Sequence, residues 1–226
     1  MVKYELSPAR TALIVVDMQR FFLRDGWVDD AAGVLHRVNR LAAGARAAGA
    51  LVIQTAHVFR PDGSNVGTYA GIAPQVAEAG LLNDGTETAA FHPDLDVAPT
   101  DIVLKKPRYN CFIGTDLDLL LRGNGIDTVV IAGVASHVCV EGTAREAAER
   151  DYRTVLAKDA TATYPLGDLV GLGPSTAAEL HRATCNFVAF TLGEVADVDS
   201  IRERLAGHTS AARAAAATSY DGSITR

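Results

Sequence analysis

Cysteine, methionine and tryptophan are scarce in this chain, and long apolar runs are missing. The three cysteines, Cys111, Cys139 and Cys185, are an odd number without paired spacing, so no disulfide framework is implied. No apolar stretch approaches the roughly 20 residues of a membrane span. The opening MVKYELSPAR has no leader-type apolar core. Basic residues are outnumbered, 21 Lys and Arg against 27 Asp and Glu, giving a net charge of −6. That balance leaves no electrostatic footprint for nucleic acid or for a membrane surface. The glycine-rich fingerprint of a dinucleotide site is absent too. Gly171-Leu172-Gly173 lacks a third glycine and a preceding strand, and reads as a helix-entry turn. A cytoplasmic, reduced protein is expected, with no nucleic-acid or membrane partner.

What remains is an α/β pattern. With 226 residues and 48% hydrophobic content, the chain can bury a sizeable core as one domain. Apolar, β-rich runs fall at 12–16, 51–55, 102–104, 128–132, 154–156 and 187–191, and helical patterns at 31–48, 116–122, 138–149 and 176–184. Continuous apolar strands alternating with helices predict a three-layer α/β/α fold with a mostly parallel central sheet. Asp116, Ser136 and Pro174-Ser175 are expected at helix starts, Gly49 and Gly125 at helix ends. Residues 1–206 read as the domain and 207–226 as a polar, alanine-rich tail. Between 59 and 99 the sequence is punctuated by Gly, Pro, Asp and Asn; loops of that length inside compact domains are usually functional, often as lids or substrate walls.

Ligands of parallel α/β sheets bind at the carboxyl ends of strands. Three reactive side chains fall there: Asp17 after 12–16, Lys106 after 102–104, and Cys139 just past 128–132. Cys139 lies in GVASHVCVEGTAREA, Gly133 to Ala147, a strand, a turn of small residues and a helix start. A thiol at a helix N-terminus is expected to be biased toward the thiolate. An acid, an amine and a thiol at one edge make a nucleophilic site. Each has a duller reading: a packing cysteine, a turn-capping aspartate, a solvated lysine.

From Thr11 to about Leu192 the chain resembles the isochorismatase-like cysteine hydrolases, the nicotinamidase-related amidohydrolases. The resemblance rests on ALIVVDMQRFF (12–22), KKPRYNCFIGTDLDLLLR (105–122) and the Gly133–Ala147 segment. It implies a catalytic triad of Asp17, Lys106 and Cys139, a cis peptide at Val134–Ala135, and an oxyanion hole from the N–H groups of Ala135 and Cys139. Nicotinamidases of this family hold a divalent ion with a D-x-H segment and a further histidine. Here the matching stretch is Thr55-Ala56-His57, short of a three-ligand site, so neither a metal nor another cofactor is expected. The resemblance also implies a homodimer or homotetramer.

Phe22, Trp27, His57, Tyr109, Asn110 and His137 flank these positions and are the candidates to contact substrate. Gln19 is placed to orient Asp17 or to enter the core, and Cys111 and Cys185 read as structural. Arg60 or Arg108 would be the group to grip a substrate carboxylate. The expected activity is cysteine-dependent hydrolysis of a small amide or N-carbamoyl compound. It releases ammonia or an amine through a thioester or S-carbamoyl enzyme. The alternatives are a vinyl-ether hydrolase of isochorismatase type and a non-catalytic binding protein.

Overall fold

The computed structural model describes residues 2–207; apart from Gly207, the expected tail lies outside them. Six strands form one sheet: β1 (Thr11–Val16), β2 (Leu51–His57), β3 (Ile102–Lys106), β4 (Thr128–Val134), β5 (Arg153–Ala162) and β6 (Gly193–Ala196). Their order is β3-β2-β1-β4-β5-β6, and every adjacent pair is parallel. β1 and β4 are buried at every position, which explains their uninterrupted apolar sequence.

Alternate side chains of β1 feed two separate cores. Leu13 and Val15 pack with α1 (Ala31–Ala48) through Val34, Val38 and Leu41, and with a helical stretch at 198–207 through Val198, Ile201 and Leu205. Ala12, Ile14 and Val16 face the opposite core. Its helices include α4 (Leu117–Gly123), α5 (Glu141–Glu149) and α6 (Ala177–Thr191). The sheet is thus covered on both faces, as the period-2 alternation requires. No helix among the described residues is long and apolar enough to cross a membrane.

One strand expectation fails. Residues 187–191 are the last turns of α6, and the sixth strand is Gly193–Ala196. The run FVAFT looks β-rich, but short apolar runs carry no period of their own. The helix is set from its start, where Thr176 and Glu179 form a reciprocal capping box. Burial then follows helical spacing, with Thr184 and Val188 inside and Phe190 in solvent. Other caps also differ. Asp116 holds the N-cap position of α4 without a capping bond, and the Thr115 hydroxyl accepts from Leu117 N–H at 3.3 Å instead. Gly49 ends α1 as expected, at φ 87°.

The long 59–99 segment is tied to the sheet edge. It contains two short helical turns, α2 (Tyr69–Ile72) and α3 (Pro74–Glu78). Phe21, Phe59, Val66 and Leu82 form a small core beneath it. Backbone bonds from Arg20 to Ala90 and from Phe21 to Thr88, both 2.9 Å, fasten it to the chain leaving β1.

Candidate active site

The strand order reverses between β1 and β4. The segments leaving these two neighbouring strands diverge there and open a crevice, the usual ligand position in such sheets. Asp17 and Cys139 are carried by those two segments.

Asp17 leaves β1 with φ 53°, a left-handed conformation that aspartate tolerates better than most residues. Its carboxylate is held from both sides. The Thr55 hydroxyl donates to Oδ1 at 2.9 Å, and Lys106 Nζ lies 2.7 Å from Oδ2. Lys106 ends β3, two strands away, and reaches across under β2. It also donates to the carbonyls of Arg108 at 3.0 Å and Tyr109 at 2.8 Å. An ammonium with three oxygen partners is well satisfied in a buried setting. Oδ2 meets the ammonium as an ion pair without an aligned hydrogen bond.

The turn that carries Cys139 is set by Gly133 and the residues after it. A Cβ on Gly133 would stand 2.1 Å from the Val16 carbonyl oxygen, and its φ is 108°. Only glycine lets β4 run this close to β1. The Val134–Ala135 peptide that follows is cis, as the resemblance implies. The chain then winds through a π-helical turn, Ser136–Val140, before α5 begins. Ser136 caps nothing; its hydroxyl instead meets His181 Nδ1 at 2.8 Å. The N–H groups of Val138 and Val140 both donate to the Ala135 carbonyl, at 3.1 and 3.2 Å. They bracket Cys139 and fix the turn that presents it. Such π turns occur disproportionately at functional sites.

Electrostatics correct one expectation. Burial pushes the Cys139 thiol well above its ordinary pKa; Lys106 pulls it down, and the Asp17 carboxylate pushes it up again. Burial outweighs the pull of Lys106, so the shift runs against the thiolate bias expected of a helix start. For Lys106, burial alone would lower the pKa, but Asp17 and the sulfurs of Cys139 and Cys111 raise it above the usual lysine range. His57 is driven well below its ordinary value by burial, then by Lys106 and Arg108. It is a neutral imidazole whose Nε2 has no partner among the described residues.

A cavity of about 620 Å³ opens over Cys139. Of the residues expected to contact substrate, it is lined by Phe22, Trp27, His57 and Tyr109, and Ala135 also faces it. Asn110 is not in its wall: its amide donates to Glu146 at 3.3 Å and its carbonyl accepts from Phe112 N–H at 2.8 Å. His137 also stands behind the wall, bonded to Thr163 at 2.6 Å and packed on Tyr164. The Gln19 side chain does not bond the Asp17 carboxylate; it clamps the His57 backbone and the Ala89 carbonyl, while its N–H donates to the Asp17 carbonyl at 2.7 Å. Arg60 is exposed beside Asp62, 3.8 Å away. Arg108 is bonded to the carbonyls of Asn65 and Pro107. Cys111 packs under the site, its N–H bonded to the Thr143 hydroxyl at 3.2 Å.

Sequence reading missed Thr55, Tyr69, Tyr164 and Arg24. Tyr164 follows β5, so the strand-end rule would have found it with the strand read to its full length. Thr55 gives no signal, because threonine in a strand is ordinary.

The site also bears on metal binding. Ligand atoms of Asp17, His57 and Cys139 lie within 4.8 Å of one another. This donor set does not fit a resident divalent ion. The charge of Asp17 is already matched by Lys106 at 2.7 Å, so a divalent ion there would meet a buried ammonium.

Known proteins share this plan. The isochorismatase domain model matches residues 11–199. Over 172 residues the chain is 38% identical to the ureidoacrylate amidohydrolase RutB of Methylorubrum extorquens, covering 67% of this chain and 69% of that one. RutB of Klebsiella variicola is 33% identical over 224 residues, 90% of each chain. The crystal structure of a cysteine hydrolase from Pseudomonas syringae pv. phaseolicola superposes with a TM-score of 0.87 at 31% identity, covering 92% of this chain and 97% of that one. The family match runs from the first strand through the last, and the chain belongs to the isochorismatase family.

Proposed function

We propose that this protein is a cysteine amidohydrolase that cleaves a C–N bond of a small amide or N-carbamoyl compound. One observation carries the reading: the buried Cys139 thiol and Asp17 carboxylate lie within 4.8 Å of one another, the carboxylate is paired with the buried Lys106 ammonium, and a cavity opens over the thiol. Relatives named as ureidoacrylate amidohydrolases and a neighbour named as a cysteine hydrolase support the same chemistry.

Burial that favours the protonated thiol shapes the mechanism. Cys139 Sγ attacks the carbonyl carbon as its proton passes to Asp17, so charge never accumulates on an isolated buried sulfur. General-base assistance of this kind contributes about 10²–10⁴-fold. Lys106 stays charged throughout and offsets the negative charge that moves between carboxylate and sulfur. The oxyanion is received by the N–H groups of Ala135 and Cys139, each such donor contributing about 3 kcal/mol in comparable enzymes. Asp17 returns the proton to the leaving nitrogen as the C–N bond breaks. Ammonia or an amine departs, leaving a thioester or an S-carbamoyl enzyme. Water then attacks the same carbon, Asp17 takes its proton, and the C–S bond breaks to regenerate the thiol.

The test is ammonia or amine release from primary amides, ureas and N-carbamoyl amino acids by wild type and Cys139→Ala. Release by wild type and a loss of at least about 10³-fold in the variant is expected. Release that survives Cys139→Ala would overturn the nucleophile assignment. Cleavage of vinyl ethers but no amide would favour isochorismatase chemistry.

A further inference from the structure

The cavity over Cys139 contains a cation that this mechanism leaves unused. Arg24, on the segment leaving β1, lines the same cavity as Cys139. Its guanidinium carbon packs 4.2 Å from the Phe21 ring and 3.7 Å from the Trp27 ring. One guanidinium N–H donates to the Phe21 carbonyl. Those contacts fix the group in place without neutralising it.

Two other cations at or beneath the cavity are matched by acids. Arg20 lies 3.1 Å from Glu87 and Lys106 lies 2.7 Å from Asp17. Arg24 has no carboxylate partner among the described residues. The Trp27 Nε1–H, in the ring beneath it, is likewise buried without an acceptor among those residues. Burial holds the Arg24 pKa below the ordinary arginine value, while Tyr164 and Tyr69 act to raise it. An arginine stays charged even so. A partly desolvated charge without a counter-ion is costly until an anion meets it.

Arg24 and Cys139 share this lining with Phe22, Tyr69, Tyr109, Val138 and Tyr164, and its other charged residues, Arg20 and Glu87, pair with each other. At about 620 Å³ the cavity is in the range for ligands much larger than a simple amide.

We propose that Arg24 is the carboxylate-reading end of this cavity. Its ligand is an acid whose apolar or aromatic body spans from the guanidinium to an amide or carbamoyl carbon at Cys139. The second half of this statement rests on the amidohydrolase reading; the first does not. A guanidinium fork meets a carboxylate bidentately, which a stacked, immobile arginine favours. Arg108 is the competing cation, but it borders a side pocket of about 50 Å³ and not the main cavity.

The test compares 4-(ureidomethyl)benzoic acid, whose ring separates the carboxylate from the carbamoyl group, with benzylurea, which lacks only the carboxylate. Binding is measured calorimetrically to Cys139→Ala, so no turnover is needed. The acid is expected to bind roughly 10- to 100-fold more tightly. In Cys139→Ala/Arg24→Gln that preference should fall to about threefold or less, with the urea's affinity nearly unchanged. Retained urea binding shows that the cavity is intact. Arg24→Lys, in the same background, should restore part of the preference, and Arg108→Gln should leave it in place.

The proposal is overturned if the acid has no advantage, if its advantage survives Arg24→Gln, or if it depends on Arg108 instead. Failure of both compounds to bind at about millimolar concentration also overturns it. Wild type that cleaves no amide or urea, while the Arg24-dependent preference stands, would remove the hydrolase reading and leave the anion site. Cleavage without that preference would do the reverse.

Discussion

Lys106 Nζ stands 2.7 Å from Asp17 Oδ2, and neither side chain has any exposed surface. The pair joins β3 to the end of β1 across β2, so it is structural as well as chemical. Removing one partner leaves an uncompensated buried charge, which typically costs about 3–5 kcal/mol. Lys106→Met should therefore lower the unfolding free energy by about that amount in urea titrations. The double variant Asp17→Asn/Lys106→Met should recover most of the loss yet remain inactive. A double variant no more stable than Lys106→Met would show that the ammonium's hydrogen bonds to Arg108 and Tyr109 matter more than its charge.

Cys139 gives a prediction about reactivity with pH. Burial raises its thiol pKa well above the usual value, and only the thiolate alkylates. Iodoacetamide should modify Cys139 more slowly than a free cysteine at pH 7.5, with a rate still rising past pH 9. The same shift has a stability consequence. A thiol whose pKa is higher folded than unfolded contributes stability that is full below about 8.5 and is lost as pH climbs toward the folded value. Cys139→Ser should flatten that alkaline loss. A plateau in alkylation near neutral pH would mean that a thiolate rests in the site.

His57 acts at the acid end. Its pKa is held well below the ordinary value, first by burial and then by Lys106 and Arg108. The unfolded chain takes up a proton below about pH 6.5 and the folded one does not. Stability linked to His57 is therefore present above that pH and lost as the pH falls through it. Thermal melts from pH 7.5 to 5 should show a decline in wild type that is shallower in His57→Gln. The pH–rate profile should carry no inflection from His57 near neutrality, because the imidazole is already neutral there.

Strand ends made the proposed triad legible. Asp17, Lys106 and Cys139 each follow an apolar run, and a parallel sheet brings such ends to one edge. Phe22, Trp27, His57 and Tyr109 were found by the same proximity. Asn110 and His137 met the same rule and turned away, because adjacency along the chain does not fix which side of a turn a side chain takes. Arg24 was passed over since its meaning depends on what it lacks, a carboxylate neighbour in space. The strand at 187–191 failed for want of period in five residues. Reading β5 only to Leu156 hid Tyr164, because Ala157-Lys158-Asp159 breaks the apolar pattern before the strand ends at Ala162.

Gly133 links the fold to the chemistry. Val16 and Gly133 are register partners on β1 and β4, and the space for a side chain at Gly133 is filled by the Val16 backbone, its oxygen 2.1 Å from a built Cβ. Backbone cannot move aside as a flexible side chain can, and φ of 108° adds conformational strain for any other residue. Gly133→Ala should therefore cost about 2–4 kcal/mol of stability. It should also pull apart the strand ends that carry Asp17 and the Cys139 turn. The expected kinetic signature is a fall in kcat larger than the change in KM, since the cavity walls from the 59–99 segment are anchored elsewhere. Stability and kcat measured together on folded Gly133→Ala, at a temperature below its melting point, would decide the matter. Wild-type turnover in that variant would show that the close approach of β1 and β4 serves packing alone.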